Sequence, residues 1–489
     1  MTDTVSLGAL IAVVSFGLVV AVLSNRISNY TRIPAPALFL IAAAILGELI
    51  PQLSHITIPV VQGAVSVALV LILFDGGMHI GWRQFRRNGR AITWLGVVGT
   101  LVTAAALAIL VHYAFGMEWL LAMLLATALA PTDPAVVFSV LGKRAIGGRS
   151  DVLLEGESGA NDPVGIALMV ALLAASTASS GFQAVAEGAF EFVLQMGVGS
   201  LLGVLGGLAL RWMTQRVALP SEGLYSIRTL AGAGLIFGVT TIAHGSGFLA
   251  VFIAGMVMAD GRVPFKREIQ RFHSALASLG EIVAFALLGL TVDVSSLFSG
   301  SEWLVGLAIA VALAFVIRPV LVGLVLLPIR LARNERIFVL WAGLKGAVPI
   351  LLGTYILSSG VEDAAYARDL IIIVVTFSVI FQGGSIPAVT KWLKLSLTEV
   401  NPQPWTMGVR FENEPGGLLH YSVDAGSIAD GCRVENLPIA DEAWLSVVTR
   451  AGSLVQIRGE TVLQAGDEVT LLASEDSTID LKSVFKSEA

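Results

Sequence analysis

Residues 153–168 read LLEGESGANDPVGIAL. On a helix, Ser158 and Asp162 lie four apart, as do Glu157 and Asn161, while Ser158 and Asn161 lie three apart. One face therefore offers a hydroxyl, an amide oxygen and a carboxylate. These are hard oxygen ligands, suited to an alkali cation and poor for soft metals. Pro163 follows at once, and because its nitrogen cannot donate, the carbonyl of Gly159 is expected to be free. A bare Asp162 carboxylate in apolar surroundings is costly, so it should hold either a proton or a cation. That competition is the elementary step of an exchanger.

Two further stretches combine charge with helix-breaking residues. In ALAPTDPAVVF (128–138), Pro131 and Pro134 bracket Thr132 and Asp133; in WAGLKGAVPILLG (341–353), Gly343, Gly346 and Pro349 bracket Lys345. Each proline removes a backbone donor and crowds the preceding turn. Unwound backbone at membrane depth is tolerated only where protein buries it or it lines a cavity. The bland reading is two unrelated proline kinks, with the acids merely pairing to Arg318 and Lys345. That reading suits Glu157, whose best partner is Arg318, next to Pro319. It suits Asp162 poorly, because an ion pair has no need of Asn161 and Ser158. Asp133 is open between a second ligand, a proton holder and a partner of Lys345.

These residues need a scaffold, and composition names its class. The 489-residue chain is 55% hydrophobic and 13% charged, about half the charge of a typical soluble protein. Apolar runs recur up to about Leu395, each long enough to cross a ~30 Å hydrocarbon core. About thirteen spans are expected, at 5–23, 34–50, 58–80, 91–114, 118–141, 152–176, 189–212, 225–243, 246–260, 276–292, 303–329, 335–358 and 368–393.

Basic residues test that count. Arg26, Arg32, Arg83, Arg86, Arg87, Arg90, Lys143, Arg144, Arg149, Arg211, Arg216, Arg228, Arg262, Lys266, Arg267, Arg271, Arg330, Arg333 and Arg336 all fall in odd-numbered loops, and Lys391 and Lys394 follow the last span. The even loops hold Arg368 alone, against Glu118, Glu187, Asp293, Glu302, Glu362 and Asp363. The positive-inside rule then puts the N-terminus outside and the tail in the cytoplasm of a multi-pass plasma (inner) membrane protein. If the seventh span is a linker, the two interrupted spans occupy matching positions of two inverted halves, the usual location of a transporter's binding site. The one cysteine, Cys432, excludes an internal disulfide, and no basic excess points to nucleic acid.

Taken together, APTDPAVV, EGESGANDP, Arg318-Pro319 and GLKGAVP resemble the monovalent cation:proton antiporters of the NhaP and eukaryotic sodium/proton exchanger family. LILFDGGM (71–78), with Asp75, resembles that family's third-span motif. The resemblance covers about residues 1–395. It implies an all-α membrane domain built around two crossed unwound helices, a separate dimerisation domain and a homodimer. It assigns ion binding to Asp162, with Ser158 and the Thr132 main chain as further ligands. It matches Asp133 to the acid of the unwound crossing, and Glu157 and Arg318 to a structural ion pair. Asn161-Asp162 resembles the electroneutral members. Lys345 stands where arginine is common, and lysine, unlike arginine, can lose its proton when buried.

From residue 396 to 489 the composition is that of a small soluble α/β domain. LLHYSV, SLVQIRG and TVLQAGDEVTLLA read as short strands, and the last looks like part of the C-terminal potassium-regulatory module, RCK-C or TrkA-C. That resemblance favours K+ over Na+ and suggests a small-molecule regulator at the tail. The expectation is an antiporter serving pH homeostasis rather than an enzyme, without a cofactor, alternating Asp162 between two faces. A tail-gated cation channel would need a filter such as TVGYG, which is absent; a non-transporting sensor would tolerate loss of Asp162.

Overall fold

A computed structural model describes residues 34–50, 56–141, 144–146, 149–177, 182–260, 263–294, 300, 302–395, 397–399, 418–439, 443–473 and 481–486, with a few helical positions before residue 24. Most of the expected first span, and Arg26, Arg32, Lys143 and Arg262, lie outside the described residues. Contacts divide the chain into two units, Met1–Thr406 and Met407–Ala489. The first unit extends past residue 395 because β2 (Leu397–Glu399) pairs antiparallel with β1 (Arg144–Ile146).

Twelve of the expected spans have helical counterparts in the first unit. α1 is Ala35–Leu49, with proline in its first turn, where a missing N–H costs nothing. α2 (Ile58–Thr93), a π-helical stretch (Trp94–Gly99) and α3 (Thr100–Phe115) follow without an intervening loop. The loop expected at 81–90 is instead helical, and a single glycine, Gly81, carries the break with φ 65°. Arginine is a good helix former, so Arg83, Arg86, Arg87 and Arg90 extend the turn instead of ending it. Glycine alone takes positive φ without strain.

α4 (Trp119–Leu129) and α5 (Ala135–Leu141) are the halves of the fifth span. α6 (Ser150–Thr177) runs unbroken through Pro163. Then come α7 (Phe182–Arg216), α8 (Glu222–Ile242), α9 (Gly247–Ala259) and α10 (Lys266–Leu290). α11 (Glu302–Val325) and α14 (Ala364–Trp392) each contain a π-helical stretch. Between them α12 (Arg333–Trp341) and α13 (Ala347–Ser358) are the halves of the twelfth span.

Packing sorts most of these helices into two groups. α9 and α10 lie against α1, α2, α7 and α8, while α3, α4, α11, α13 and α14 pack on one another, and α6 lies between, against α2 and α7 as well as α4. The outward faces are apolar: Val185, Phe190, Val193 and Leu201 of α7 are all exposed, as a lipid-facing helix requires.

The second unit is an antiparallel sheet in the order β3 (Leu418–Ser422), β6 (Glu468–Ala473), β4 (Ala443–Arg450), β5 (Ser453–Val455), closed by α15 (Leu481–Phe485). Val423, Val448, Val469, Leu471 and Phe485 form its core. The sequence pattern located β3, β5 and β6 but not β4, whose AWLSVVTR lacks a clean period of two. Asp467 is fully buried, accepting at 2.8 Å from both Nε and a terminal nitrogen of Arg450 and at 2.9 Å from the Gln464 amide. The Arg450 guanidinium holds this carboxyl below the usual aspartate range.

Candidate ion-binding site

The two interruptions meet. Between α4 and α5 the chain is unwound around Pro131–Asp133, and between α12 and α13 around Gly343–Gly346. The Asp133 amide donates to the Leu344 carbonyl at 2.8 Å, so each break satisfies a backbone group the other exposes. The Asp133 carboxyl accepts from the amide of Ala135, the first residue of α5, at 2.9 Å. The carboxyl thus sits at the start of α5 and beside Gly346, which precedes α13. A Cβ at Gly346 would overlap that carboxylate, and one at Gly343 would overlap the Arg318 guanidinium. Glycine is needed there for room.

The opposite, negative helix ends receive cations. Lys345 Nζ donates to the carbonyls of Ala130 and Pro131 at 3.0 and 3.1 Å, at the end of α4. Arg318 donates to Leu340 and Val339 at 2.8 and 3.2 Å, at the end of α12. Among the described residues Lys345 has no carboxylate in contact, so pairing with Asp133 or Asp162 is not what holds it. Helix-end carbonyls, invisible in a list of side chains, take that part. Arg318 also meets Glu157, 2.9 Å from its Oε1, with both side chains buried.

α6 presents Glu157, Ser158, Asn161 and Asp162 to this crossing, all buried. Their hydrogen bonds have a definite sense. Thr132 Oγ1 donates to Glu157 Oε1 at 3.3 Å, so it can only accept from the Asn161 amide nitrogen at 2.7 Å. The amide oxygen of Asn161 is left over. Ser158 Oγ donates to Asp162 Oδ2 at 3.3 Å. Asn161 Oδ1 and Asp162 Oδ1 are buried and have no hydrogen-bond partner among the described residues. Buried oxygens of this kind are normally satisfied. A carboxylate oxygen, an amide oxygen and nearby hydroxyls form a donor set that fits a hard monovalent cation.

Asp75 is not joined to this set by a hydrogen bond. Its Oδ1 accepts from Ser274 of α10 at 2.9 Å and its Oδ2 lies 3.4 Å from His79 Nδ1. Two residues near the crossing escaped the reading of the sequence. Ser378 of α14 accepts from the Lys345 amide at 2.9 Å and donates to Gln382 Oε1 at 2.8 Å. The signal was available: FSVIFQGG places two polar side chains four apart in an apolar run.

The family model for the transmembrane sodium/hydrogen exchanger matches residues 18–392. A curated relative, the K(+)/H(+) antiporter NhaP of Alkalimonas amylolytica, is 31% identical over 98% of this chain and 83% of its own length. The low-affinity Na(+)/H(+) antiporter NhaS1 of Synechocystis sp. is 28% identical over 78% of this chain and 74% of its own. Among solved structures, the sodium proton antiporter MjNhaP1 from Methanocaldococcus jannaschii superposes with a TM-score of 0.65 at 22% identity. That match covers 79% of this chain and 98% of the other. It is a likeness of fold.

Proposed function

Because this chain belongs to the transmembrane sodium/hydrogen exchanger family, we propose that it is a secondary antiporter exchanging a monovalent cation, K+ ahead of Na+, for H+. The observation that carries the reading is the pair of unpartnered buried oxygens on Asp162 and Asn161 beside the crossing of two unwound helices. Asp162 takes a proton or a cation, never both. Asn161, Ser158 and Thr132 supply the remaining oxygens for the dehydrated ion, and Asp133 holds the two half-helices in register.

The charged framework around the ion does not change as it binds. Glu157 is neutralised by Arg318, and the poles of the interrupted helices are already capped. One proton replaces one cation at Asp162, so the cycle is electroneutral and indifferent to voltage, whereas an uncompensated charge would respond by about 2.3 kcal/mol per 100 mV. The bundle containing the crossing moves against the other, presenting Asp162 to each side in turn.

The preference for K+ is supported by relatives named as K(+)/H(+) antiporters over 98% of this chain. The distribution of Lys and Arg supports an N-terminus outside and a cytoplasmic tail. The homodimer rests on the family resemblance alone, and the tail is read as a regulatory domain.

Purified protein in liposomes with an internal pH dye tests this. Addition of K+ against a proton gradient should restore the dye signal, Na+ less so, and a clamped potential should not alter the rate. Absence of a cation-driven signal in the wild type overturns the reading, as does full exchange by Asp162→Ala.

A further inference from the structure

We propose that Ser378 and Gln382 are positioning residues of the antiport site: they fix the backbone of the second interruption and thereby the place of the Lys345 ammonium. The inference rests on the antiport reading and adds to it a pair of residues outside both interrupted helices.

The argument begins with the backbone groups that unwinding exposes. At the end of α12, the Phe338 carbonyl accepts from Ala342, the Val339 and Leu340 carbonyls accept from Arg318, and the Ala342 carbonyl accepts from Leu344. Two further groups of this break, the Trp341 carbonyl and the Lys345 amide, are met from α14. Gln382 Nε2 donates to the first at 3.5 Å, and Ser378 Oγ accepts from the second at 2.9 Å. Ser378 in turn donates to Gln382 Oε1 at 2.8 Å. Both side chains are buried. The serine hydroxyl therefore has its donor and acceptor roles filled, and the glutamine bridges it to the last turn of α12.

The helix that carries them is built for the task. α14 widens into a π-helical stretch over Ser378–Gly383, beginning at this serine. Such single-turn insertions concentrate at functional sites. A void no larger than about one water, lined in part by Arg318, Gly343, Lys345, Ser378 and Gln382, lies beside the clamp. On this side the polar contacts of Ser378 and Gln382 add to the packing of the break. The Lys345 side chain starts from the clamped amide and ends on the carbonyls of Ala130 and Pro131, immediately before Thr132. Displacing the amide displaces the ammonium, which frees those carbonyls and shifts the Thr132 main chain at the cation.

The test compares wild type, Ser378→Ala, Ser378→Thr and Gln382→Met in proteoliposomes, measuring K+ dependence of exchange per folded molecule. Loss of one buried hydrogen bond should raise the apparent KM about threefold to tenfold in Ser378→Ala and Gln382→Met. The maximal rate should change less, and Ser378→Thr, which keeps the hydroxyl, should restore the wild-type KM. Hydrogen exchange on the full chain gives a readout independent of transport: amides of 342–346 should exchange faster in Ser378→Ala. An unchanged KM in Ser378→Ala overturns the proposal, as does unchanged exchange at 342–346 or failure of Ser378→Thr to restore KM. Wild-type protein that does not exchange at all overturns the antiport reading, a different result.

Discussion

The membrane unit and the tail each bury a carboxylate against an arginine, and the two arginines are used differently. In the tail, Arg450 forks both oxygens of Asp467 at 2.8 Å, while the arginine side chain remains 36% exposed. In the membrane unit, Arg318 reaches Glu157 with one nitrogen and spends its other contacts on the carbonyls of Val339 and Leu340. The first pair staples neighbouring strands where water still reaches the cation. The second joins α6, α11 and α12 where water does not, so each of its charges depends on the other. Asp162, five residues beyond Glu157, differs from both: it too is buried, yet among the described residues it makes no salt bridge. The comparison separates a carboxylate already neutralised by the fold from one that, on the antiport reading proposed above, is neutralised by what it binds.

The largest effect should come from removing the exception. Asp162→Asn should abolish dye recovery in liposomes down to the level of empty vesicles. Its thermal unfolding temperature should stay level or rise, because the change removes a buried acid that no salt bridge holds among the described residues. A large loss of stability instead would place Asp162 with Glu157, among the structural groups.

Next in size is the membrane pair itself. Arg318→Met leaves Glu157 buried without its partner and should cost about 3–5 kcal/mol, read as loss of folded dimer or monomer in detergent. The double variant Glu157→Gln/Arg318→Met should recover most of that loss, since the residues in contact are not additive. If the double variant is as unstable as the single, the pair is not the unit of stability, and the contacts of Arg318 with the α12 carbonyls matter more. Gly346→Ala probes the same framework from the other break. Its Cβ would overlap the Asp133 carboxylate; displacing that group should cost about 1–3 kcal/mol and slow exchange, measured on the same two scales.

How far the sequence carries this picture depends on what kind of partner a residue has. EGESGANDP gives the oxygen face of α6 because helix periodicity is enough to align four side chains. Glu157 and Arg318 can be matched because few intramembrane charges compete. Lys345 could not be assigned, because its partners are main-chain carbonyls of Ala130 and Pro131, and any residue supplies a carbonyl. The bond from Asp133 to Leu344 is hidden for the same reason. The prolines and glycines announce that both helices break, yet nothing local says the breaks touch. Ser378 and Gln382 were overlooked because their role is to serve that unwound backbone. The Arg-rich stretch after Gly81 misled in the opposite direction: its charges mark a membrane edge, and they do so within a helix.

The smallest effect lies in the tail, where the comparison can be sharpened by pH. Arg450 keeps Asp467 ionised below its ordinary range, so the unfolded tail binds the proton more readily than the folded one. The pair's contribution is therefore complete above about pH 4 and is lost as pH falls through the lowered value of the folded state. With Arg450 a third exposed, solvent screening keeps this near ~1 kcal/mol. Hydrogen exchange of β4 and β6 in the full chain should show wild-type protection flat from neutral pH down to about 4, after correction for the intrinsic rate, and weaker below. Asp467→Asn should be less protected at neutral pH and should lose the added acid sensitivity. A wild type whose protection falls between about pH 7 and 5 would require a different titrating group, and would place the tail's acid response outside this pair.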